Sequence, residues 1–257
     1  MKRLLFGAYG VGSYLIFLAT FLYAMGFVSG FGVPKILDGP AEGPLGEALL
    51  VNAGLLTLFA VQHSVMARRW FKAWWTRFVP TPIERSTYVL FASLALIVLF
   101  WQWRPLGLSI WTVSDPVARL VLWSIAAIGW IQVLITTFLI NHFDLFGLRQ
   151  VWLQFLGRPY TKIDLATPLP YRLVRHPLYL GFLLAFWSTP TMTAGHLFFA
   201  VMTTAYILTA IQFEERDLVH EHGPAYERYR REVPMIVPGT KRSAAASAPE
   251  TRQRATV

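Results

Sequence analysis

The amino-acid sequence predicts an all-α integral membrane protein, a bundle of about six transmembrane helices whose last two form a helical hairpin. First, 55% of the 257 residues are hydrophobic and only 14% are charged, whereas a soluble domain usually carries about 25% charged residues. Second, no Lys, Arg, Asp or Glu occurs between Arg3 and Lys35. Third, several later segments reach the roughly 20 apolar residues that cross the hydrocarbon core as a helix.

Six apolar segments are predicted to cross the membrane as one domain, 1–242, followed by a disordered tail, 243–257. Residues 177–213 contain no charged side chain and are too long for one span. Because Pro190 and Gly195 interrupt this stretch, we interpret it as a hairpin and leave open whether its short first arm crosses completely. The first span is longer than the apolar part of a signal peptide, so we expect it to be retained. The predicted spans are approximately 5–28, 48–66, 87–103, 118–140, 174–189 and 196–213.

The net charge of +9 is explained by the predicted topology. Loops rich in Lys and Arg alternate along the chain with loops that have few. By the positive-inside rule, this alternation places both termini in the cytoplasm and requires an even number of crossings. The basic loops account for the charge, so we expect contact with the lipid bilayer and no nucleic-acid partner.

The absence of cysteine limits the chemistry that the chain can perform. It excludes disulfides, thiolate metal sites and a cysteine nucleophile. His220 and His222 are two residues apart, and this spacing does not place two ligands on one face of a helix. We therefore predict no metal site.

Polar residues gather at the predicted cytoplasmic ends of the later spans, although burying polar groups there costs free energy. The hairpin should bring its own two ends together, so that Arg175, His176 and Tyr179 face Glu214 and Glu215. A compact site with both charge signs and a histidine is predicted there. The three clusters are Asn141 to Gln150, Pro170 to Gly181, and Glu214 to Tyr229.

Each of these features also has a simpler structural interpretation. Arg175 is equally explained as a topology signal, and His176 before Pro177 as the start of a helix. Glu214 and Glu215 fit a solvated helix end. These alternatives stay open at the level of single residues.

The order and spacing of several motifs around the apolar hairpin provide a more specific signal. The motifs are Tyr171, the run Arg175 to Gly181, Glu214–Glu215, the run Gly223 to Tyr229, and Val233–Pro234 closing with Pro238. Together they resemble the isoprenylcysteine carboxyl methyltransferase superfamily over roughly the last third of the chain. The resemblance implies a pocket for S-adenosylmethionine (SAM), formed by the hairpin and its flanking segments, with a cytoplasmic C-terminal segment completing it.

The resemblance also implies which residues contact SAM. Arg175 and Glu215, which belong to the same motifs, are included in the predicted set. The predicted cofactor-binding residues are Asp164, Leu165, Ala166, Tyr171, Arg175, His176, Pro177, Leu178, Tyr179, Glu214 and Glu215.

One position departs from the prenylcysteine enzymes. They carry an arginine four residues before the matching glutamate, and here that position is Ala210. An anionic carboxyl substrate would be stabilised by such a cation. The departure therefore argues against carboxyl methylation.

The middle of the chain is similar to the bacterial methanethiol S-methyltransferases, relatives of the NnrU membrane proteins. The similarity is carried by 141–150, 157–176 and 233–238 and extends over most of the chain. It implies SAM-dependent methylation of methanethiol, a small volatile thiol, to dimethyl sulfide by a multi-pass protein of the bacterial inner membrane with its site facing the cytoplasm. Another lipophilic acceptor (a prenylcysteine carboxyl or a lipid headgroup) and a non-catalytic NnrU-like membrane factor remain as alternatives, and the oligomeric state is open.

Thiol methylation needs a way to ionise the thiol. A cysteine thiol has a pKa of about 8.5, and an alkyl thiol without a nearby ammonium should be higher, so a general base or a cation is useful. We predict that His142, oriented by Asp144, is the base and that Arg149 stabilises the thiolate. His176 is the rival base.

Overall fold

The structure, a computed structural model, describes residues 1–161, 163 and 168–240. Three predicted SAM contacts, Asp164, Leu165 and Ala166, lie outside the described residues, as does the predicted tail 243–257. The helices are α1 (Lys2–Ser29), α2 (Leu45–Ala67), α3 (Arg69–Trp75), α4 (Thr81–Gln102), α5 (Pro116–Ile140), α6 (His142–Leu145), α7 (Leu148–Phe155), α8 (Leu169–Leu173), α9 (Pro177–Trp187), α10 (Ala194–His222) and α11 (Pro224–Glu232).

The prediction of an all-α membrane protein is confirmed. Five of the described helices, α1, α2, α4, α5 and α10, are long and apolar enough to cross a membrane. Large apolar side chains on their outer faces are exposed, such as Leu50 at 76% and Leu120 at 67%. In a soluble protein such exposure would be unfavourable, whereas in a bilayer these side chains contact lipid.

The hairpin differs from its predicted outline. Helix α9 has 11 residues, about 16 Å at 1.5 Å per residue, which is shorter than the hydrocarbon core. Within the predicted arm 174–189, the helix begins at Pro177 and ends at Trp187. The chain continues into a short strand, β2 (Thr191–Thr193), which pairs antiparallel with β1 (Ser109–Thr112). The strand pairing satisfies backbone groups that the helix leaves free.

The second hairpin arm is longer than predicted. Helix α10 runs from Ala194 to His222, well past the predicted end at residue 213. The charged residues Glu214 and Glu215 thus extend the helix instead of ending it. They are presented from a rigid helix, which fixes the directions of their side chains.

The loops sort into two opposite ends, as the alternation of basic loops requires. At one end, Trp103 donates its indole N–H to the Leu37 carbonyl at 3.0 Å, and Thr193 donates to an oxygen of Asp38 at 2.5 Å. These contacts join the loops after α1 and α4 to the turn of the hairpin.

The other end contains the basic loops. Arg68 pairs with Asp217 at 2.9 Å, and Arg85 donates to the Leu145 carbonyl at 2.7 Å. These contacts join the end of α2, the start of α4, the segment after α5 and the end of α10. The three polar clusters of the sequence therefore lie at this one end of the bundle.

Helices α5 and α9 cross at two glycines, and this crossing positions the start of α9. A Cβ on Gly129 would lie 2.6 Å from the Gly181 carbonyl, and one on Gly181 would lie 2.7 Å from the Gly129 carbonyl. Small residues allow this close approach of helix backbones in a membrane. On the same face of α5, Gln132 donates to the Pro177 carbonyl at 2.6 Å. The first turn of α9 is thereby attached to α5.

Candidate functional site

The two ends of the hairpin meet at the site, as predicted. The Tyr179 hydroxyl donates to Glu214 Oε2 at 3.0 Å, and His176 Nδ1 lies 3.9 Å from the same oxygen. The rings of His176 and Tyr179 are 5.6 Å apart and tilted by 37°. Pro177 is buried and Leu178 half-buried at the same helix start. The site thus combines one carboxylate with two polar aromatic rings.

Arg175 and Glu215 form a buried ion pair beside this contact. The guanidinium Nε donates to Glu215 Oε1 at 2.7 Å, and the two side chains are 7% and 5% exposed. Nη1 of Arg175 donates to the carbonyls of Arg230 and Val233 at 3.1 and 2.5 Å. Glu215 also accepts from His176 Nε2 at 3.1 Å. The protein's own groups therefore surround both charges, and the pair connects α9 and α10 to the C-terminal segment.

The C-terminal segment, 224–238, packs against the start of α9. The backbone N–H groups of Arg175 and His176 donate to the carbonyls of Pro234 and Met235 at 2.8 and 3.1 Å. Tyr229 donates its hydroxyl to the Tyr171 carbonyl at 2.6 Å. This arrangement has the form predicted for a C-terminal segment that completes the site.

The geometry suits a ligand that carries an ammonium and hydroxyl groups. Among the described side chains, the close contacts of Glu214 are to Oε2, and the side chain is 45% exposed. Its Oε1 therefore offers an acceptor at the edge of the cluster. Burial and the nearby Glu214 raise the pKa of the Tyr171 phenol, so Tyr171 is a neutral hydrogen-bonding group. A SAM molecule, with its ammonium and ribose hydroxyls, fits this donor and acceptor set.

His142 has hydrogen-bond partners at both ring nitrogens. The Thr137 hydroxyl donates to the Leu134 carbonyl at 2.7 Å, so it accepts from His142 Nδ1 at 2.8 Å. Nε2 then carries the lone pair and accepts from the Tyr14 hydroxyl at 2.8 Å. The ring is 4% exposed and stacks on Phe138 at 4.1 Å. Burial lowers the pKa of His142 below its ordinary value, which keeps the ring neutral.

The predicted orientation of His142 by Asp144 is wrong. Asp144 instead accepts from Arg149 at 3.0 Å and from Tyr160 at 3.2 Å. Residues two apart on a helix do not face each other, so the short helix α6 directs the two side chains apart. Arg149 also donates to the carbonyl and hydroxyl of Thr161 at 2.8 and 2.6 Å. Its guanidinium therefore stabilises the 144–161 segment.

Polar aromatic residues from distant helices were missed by the sequence interpretation. Tyr14 on α1 reaches His142, and Tyr88 on α4 reaches His63 on α2. The signal was the presence of a tyrosine or histidine within an apolar span, which is unfavourable unless a partner is near. The partners are 128 and 25 residues apart, so the pairing itself was not readable from sequence.

The chain has close relatives over most of its length. It is 58% identical over 238 residues to the methanethiol S-methyltransferase of Mycobacterium tuberculosis, covering 93% of this chain and 98% of the relative. It is 57% identical over 230 residues to the enzyme of the same name from Crocosphaera subtropica, covering 90% of each. The chain belongs to the methanethiol S-methyltransferase family. The resemblance predicted from the sequence is thereby confirmed.

More distant relatives extend beyond bacteria. Nurim of Bos taurus is 29% identical over 224 residues, covering 82% of this chain and 85% of nurim. This similarity agrees with the wider relationship to isoprenylcysteine carboxyl methyltransferases predicted from the sequence. No family model matches the chain, and no solved structure matches it.

Proposed function

We propose that the protein transfers the methyl group of SAM to methanethiol and releases dimethyl sulfide. The observation that carries the proposal is the contact of Tyr179 with the half-exposed Glu214 beside His176, in a chain of the methanethiol S-methyltransferase family. We place the protein in the bacterial cytoplasmic membrane with this end facing the cytoplasm, because the basic loops lie at the same end.

The residues proposed to hold SAM surround the start of α9. Glu214 would accept from the ammonium or a ribose hydroxyl, and Tyr179 fixes that carboxylate by its hydrogen bond. His176 and Tyr171 add polar rings, and Pro177 with Leu178 forms the backbone that carries them. Arg175 and Glu215 act indirectly, because their ion pair positions His176 and the C-terminal segment. The proposed contacts Asp164, Leu165 and Ala166 lie outside the described residues.

The bound donor supplies an electrophilic methyl on a sulfonium. Methanethiol loses its S–H proton to a base, and the electron pair left on sulfur forms the new S–C bond while the donor S–C bond breaks. A thiolate and a sulfonium thereby become two neutral sulfides. Because charge disappears, a dry site among apolar helices suits the reaction, and holding both groups together provides the proximity effect.

We retain His142 as a proposed base, with the proton reaching it through a neighbouring side chain. Since its Nε2 accepts from Tyr14, the thiol proton would reach it through the Tyr14 hydroxyl. The ion pair between Asp144 and Arg149 would then stabilise the chain segment that contains His142. The lowered pKa of His142 leaves the ring neutral, and able to accept a proton, at neutral pH.

If the thiol proton passes to His142, His142→Gln lowers kcat by about 10²–10⁴-fold, the usual contribution of a general base. A base with a lowered pKa stays neutral to lower pH. The midpoint of the rise of wild-type kcat/KM with pH should therefore lie below 6.5, the ordinary pKa of histidine. Rates are to be normalised to folded protein. An unchanged rate per folded molecule would leave His142 as an anchor between α1 and α5.

The proposed function is tested with purified protein in detergent. SAM and a panel of acceptors (methanethiol, longer thiols and a prenylcysteine) are supplied, and volatile sulfides are measured in the headspace. We expect dimethyl sulfide from methanethiol, slower reaction of longer thiols, and no carboxyl methylation, since Ala210 supplies no cation. Absence of dimethyl sulfide from active, SAM-binding protein would contradict the proposal.

A further inference from the structure

A second polar cluster lies on the helices near the proposed SAM residues. The Tyr88 hydroxyl on α4 lies 2.8 Å from Nε2 and 3.1 Å from Nδ1 of His63 on α2. Ser64, the next residue of α2, donates to the Tyr206 hydroxyl of α10 at 3.3 Å. Tyr179 packs against the buried cluster that contains Ile207, the residue after Tyr206 on α10. The cluster therefore adjoins the residue that holds the site's exposed carboxylate.

Several polar groups of this cluster are only partly buried. His63, Tyr179 and Tyr206 are each half-buried, although they sit on apolar helices where polar groups are costly. Phe59 stacks on His63 with ring centres 5.2 Å apart and meets Tyr206 edge-on at 6.2 Å. The cluster thus combines an aromatic ring with an imidazole and hydroxyls. This combination suits a small apolar molecule with one polar atom.

We propose that His63 and Tyr88 form the thiol-binding end of the site and that His63, in place of His142, takes the S–H proton of methanethiol directly. The proposal rests on the proposed function. The S–H bond breaks, the proton goes to an imidazole nitrogen, and the electron pair stays on sulfur, where the Tyr88 hydroxyl donates to it. After the new S–C bond has formed, the imidazolium returns the proton to water.

The surrounding charge favours a thiolate at this position. The guanidinium of Arg85 lies over the Tyr88 ring, 5.0 Å from its centre. A cation near the phenol strengthens it as a hydrogen-bond donor to an anion. Arg85 is itself held by the Leu145 carbonyl at 2.7 Å. The charge is therefore fixed before the substrate arrives.

His142 is hydrogen-bonded to a different tyrosine from His63. Nε2 of His142 accepts from Tyr14, and the ring of Phe146 lies 4.8 Å from its own. Phe146 in turn packs against the buried cluster that contains Tyr88. The hydrogen bonds of the His142 ring are thus to Tyr14 and Thr137, whereas His63 contacts Tyr88 directly.

The first test compares acceptors of different acidity. With methanethiol, we expect His63→Gln to lower kcat by about 10²–10⁴-fold at unchanged SAM affinity. With trifluoroethanethiol, which ionises more readily by itself, the loss should be much smaller because no base is needed. Tyr88→Phe, which keeps the ring and removes the hydroxyl, should raise the KM for thiol. His220→Gln, at an exposed helix position, is the matched control.

The second test measures thiol binding by NMR in the absence of turnover. In protein labelled at its six histidines, the ring signal assigned by His63→Gln should shift when methanethiol is added without SAM, and the His142 signal should not. Wild-type kcat in His63→Gln, or a shift of the His142 signal alone, would overturn the proposal. Dimethyl sulfide formation by the wild type would then still support the proposed function, so the two failures are distinguishable.

Discussion

Replacing Glu214 by glutamine, or Tyr179 by phenylalanine, is expected to weaken SAM binding by roughly 5- to 150-fold. Each change removes one hydrogen bond to a charged or buried partner, which costs on the order of 1–3 kcal/mol, and every 1.4 kcal/mol changes Kd about tenfold. His176→Ala should have a similar effect, since its ring lies beside both residues. Calorimetry in detergent measures the affinity.

A matched control separates this effect from general loss of charge. Glu227 is an exposed carboxylate on α11, so Glu227→Gln should bind SAM like the wild type. Wild-type affinity in the Glu214, Tyr179 and His176 variants together would show that SAM binds elsewhere. A loss in all of them with unchanged thermal unfolding would support the proposed pocket.

Removing Glu215 is expected to destabilise the protein by about 3–5 kcal/mol, because Arg175 is then left buried without a carboxylate partner. Glu215→Ala should show this loss, and Arg175→Ala a smaller one, because Arg230 Nε still lies 3.3 Å from Glu215 Oε2. Arg175→Ala also removes two hydrogen bonds to the carbonyls of Arg230 and Val233. The C-terminal segment should therefore become accessible to protease before the bundle unfolds. Thermal unfolding in detergent and limited proteolysis provide the measurements.

The double variant distinguishes a buried pair from two independent contacts. Arg175→Met with Glu215→Leu removes both charges and keeps much of the volume, so it should be more stable than either single alanine variant. Arg172→Ala, at an exposed position three residues earlier, should leave stability near the wild type. Single variants with wild-type stability would contradict the structural role assigned to the pair.

The class of helical membrane protein was predictable from the sequence because a bilayer imposes a local rule. A helix that crosses the core must be apolar over about 20 residues, and this requirement is visible in any one segment. Thus α5, predicted at 118–140, is observed at Pro116–Ile140. Helix α9 departs from the rule. Helix α9 has only 11 residues, fewer than a helix surrounded by lipid would need to cross the membrane. It packs closely onto α5 through Gly129 and Gly181.

The meeting of the two hairpin ends was also predictable, because the turn at Pro190 to Gly195 makes them neighbours by topology alone. The roles of the individual residues there were not. Arg175 and Glu215 share the same motifs as Tyr179 and Glu214, yet the first pair is 7% and 5% exposed while Glu214 is 45% exposed. One residue of difference along α10 turns a side chain by about 100°, which separates a structural ion pair from an open carboxylate.

By itself, the sequence determined that the chain is a helical membrane protein, that its polar clusters share one end, and which family it resembles. These properties follow from local composition, from the alternation of basic loops, and from motifs close together along the chain. Only the tertiary structure showed that Asp144 binds Arg149 and Tyr160. It also showed that Tyr14 is hydrogen-bonded to His142, and Tyr88 to His63. Such contacts join helices distant in sequence, and their geometry is set by how the helices pack, which no local pattern encodes.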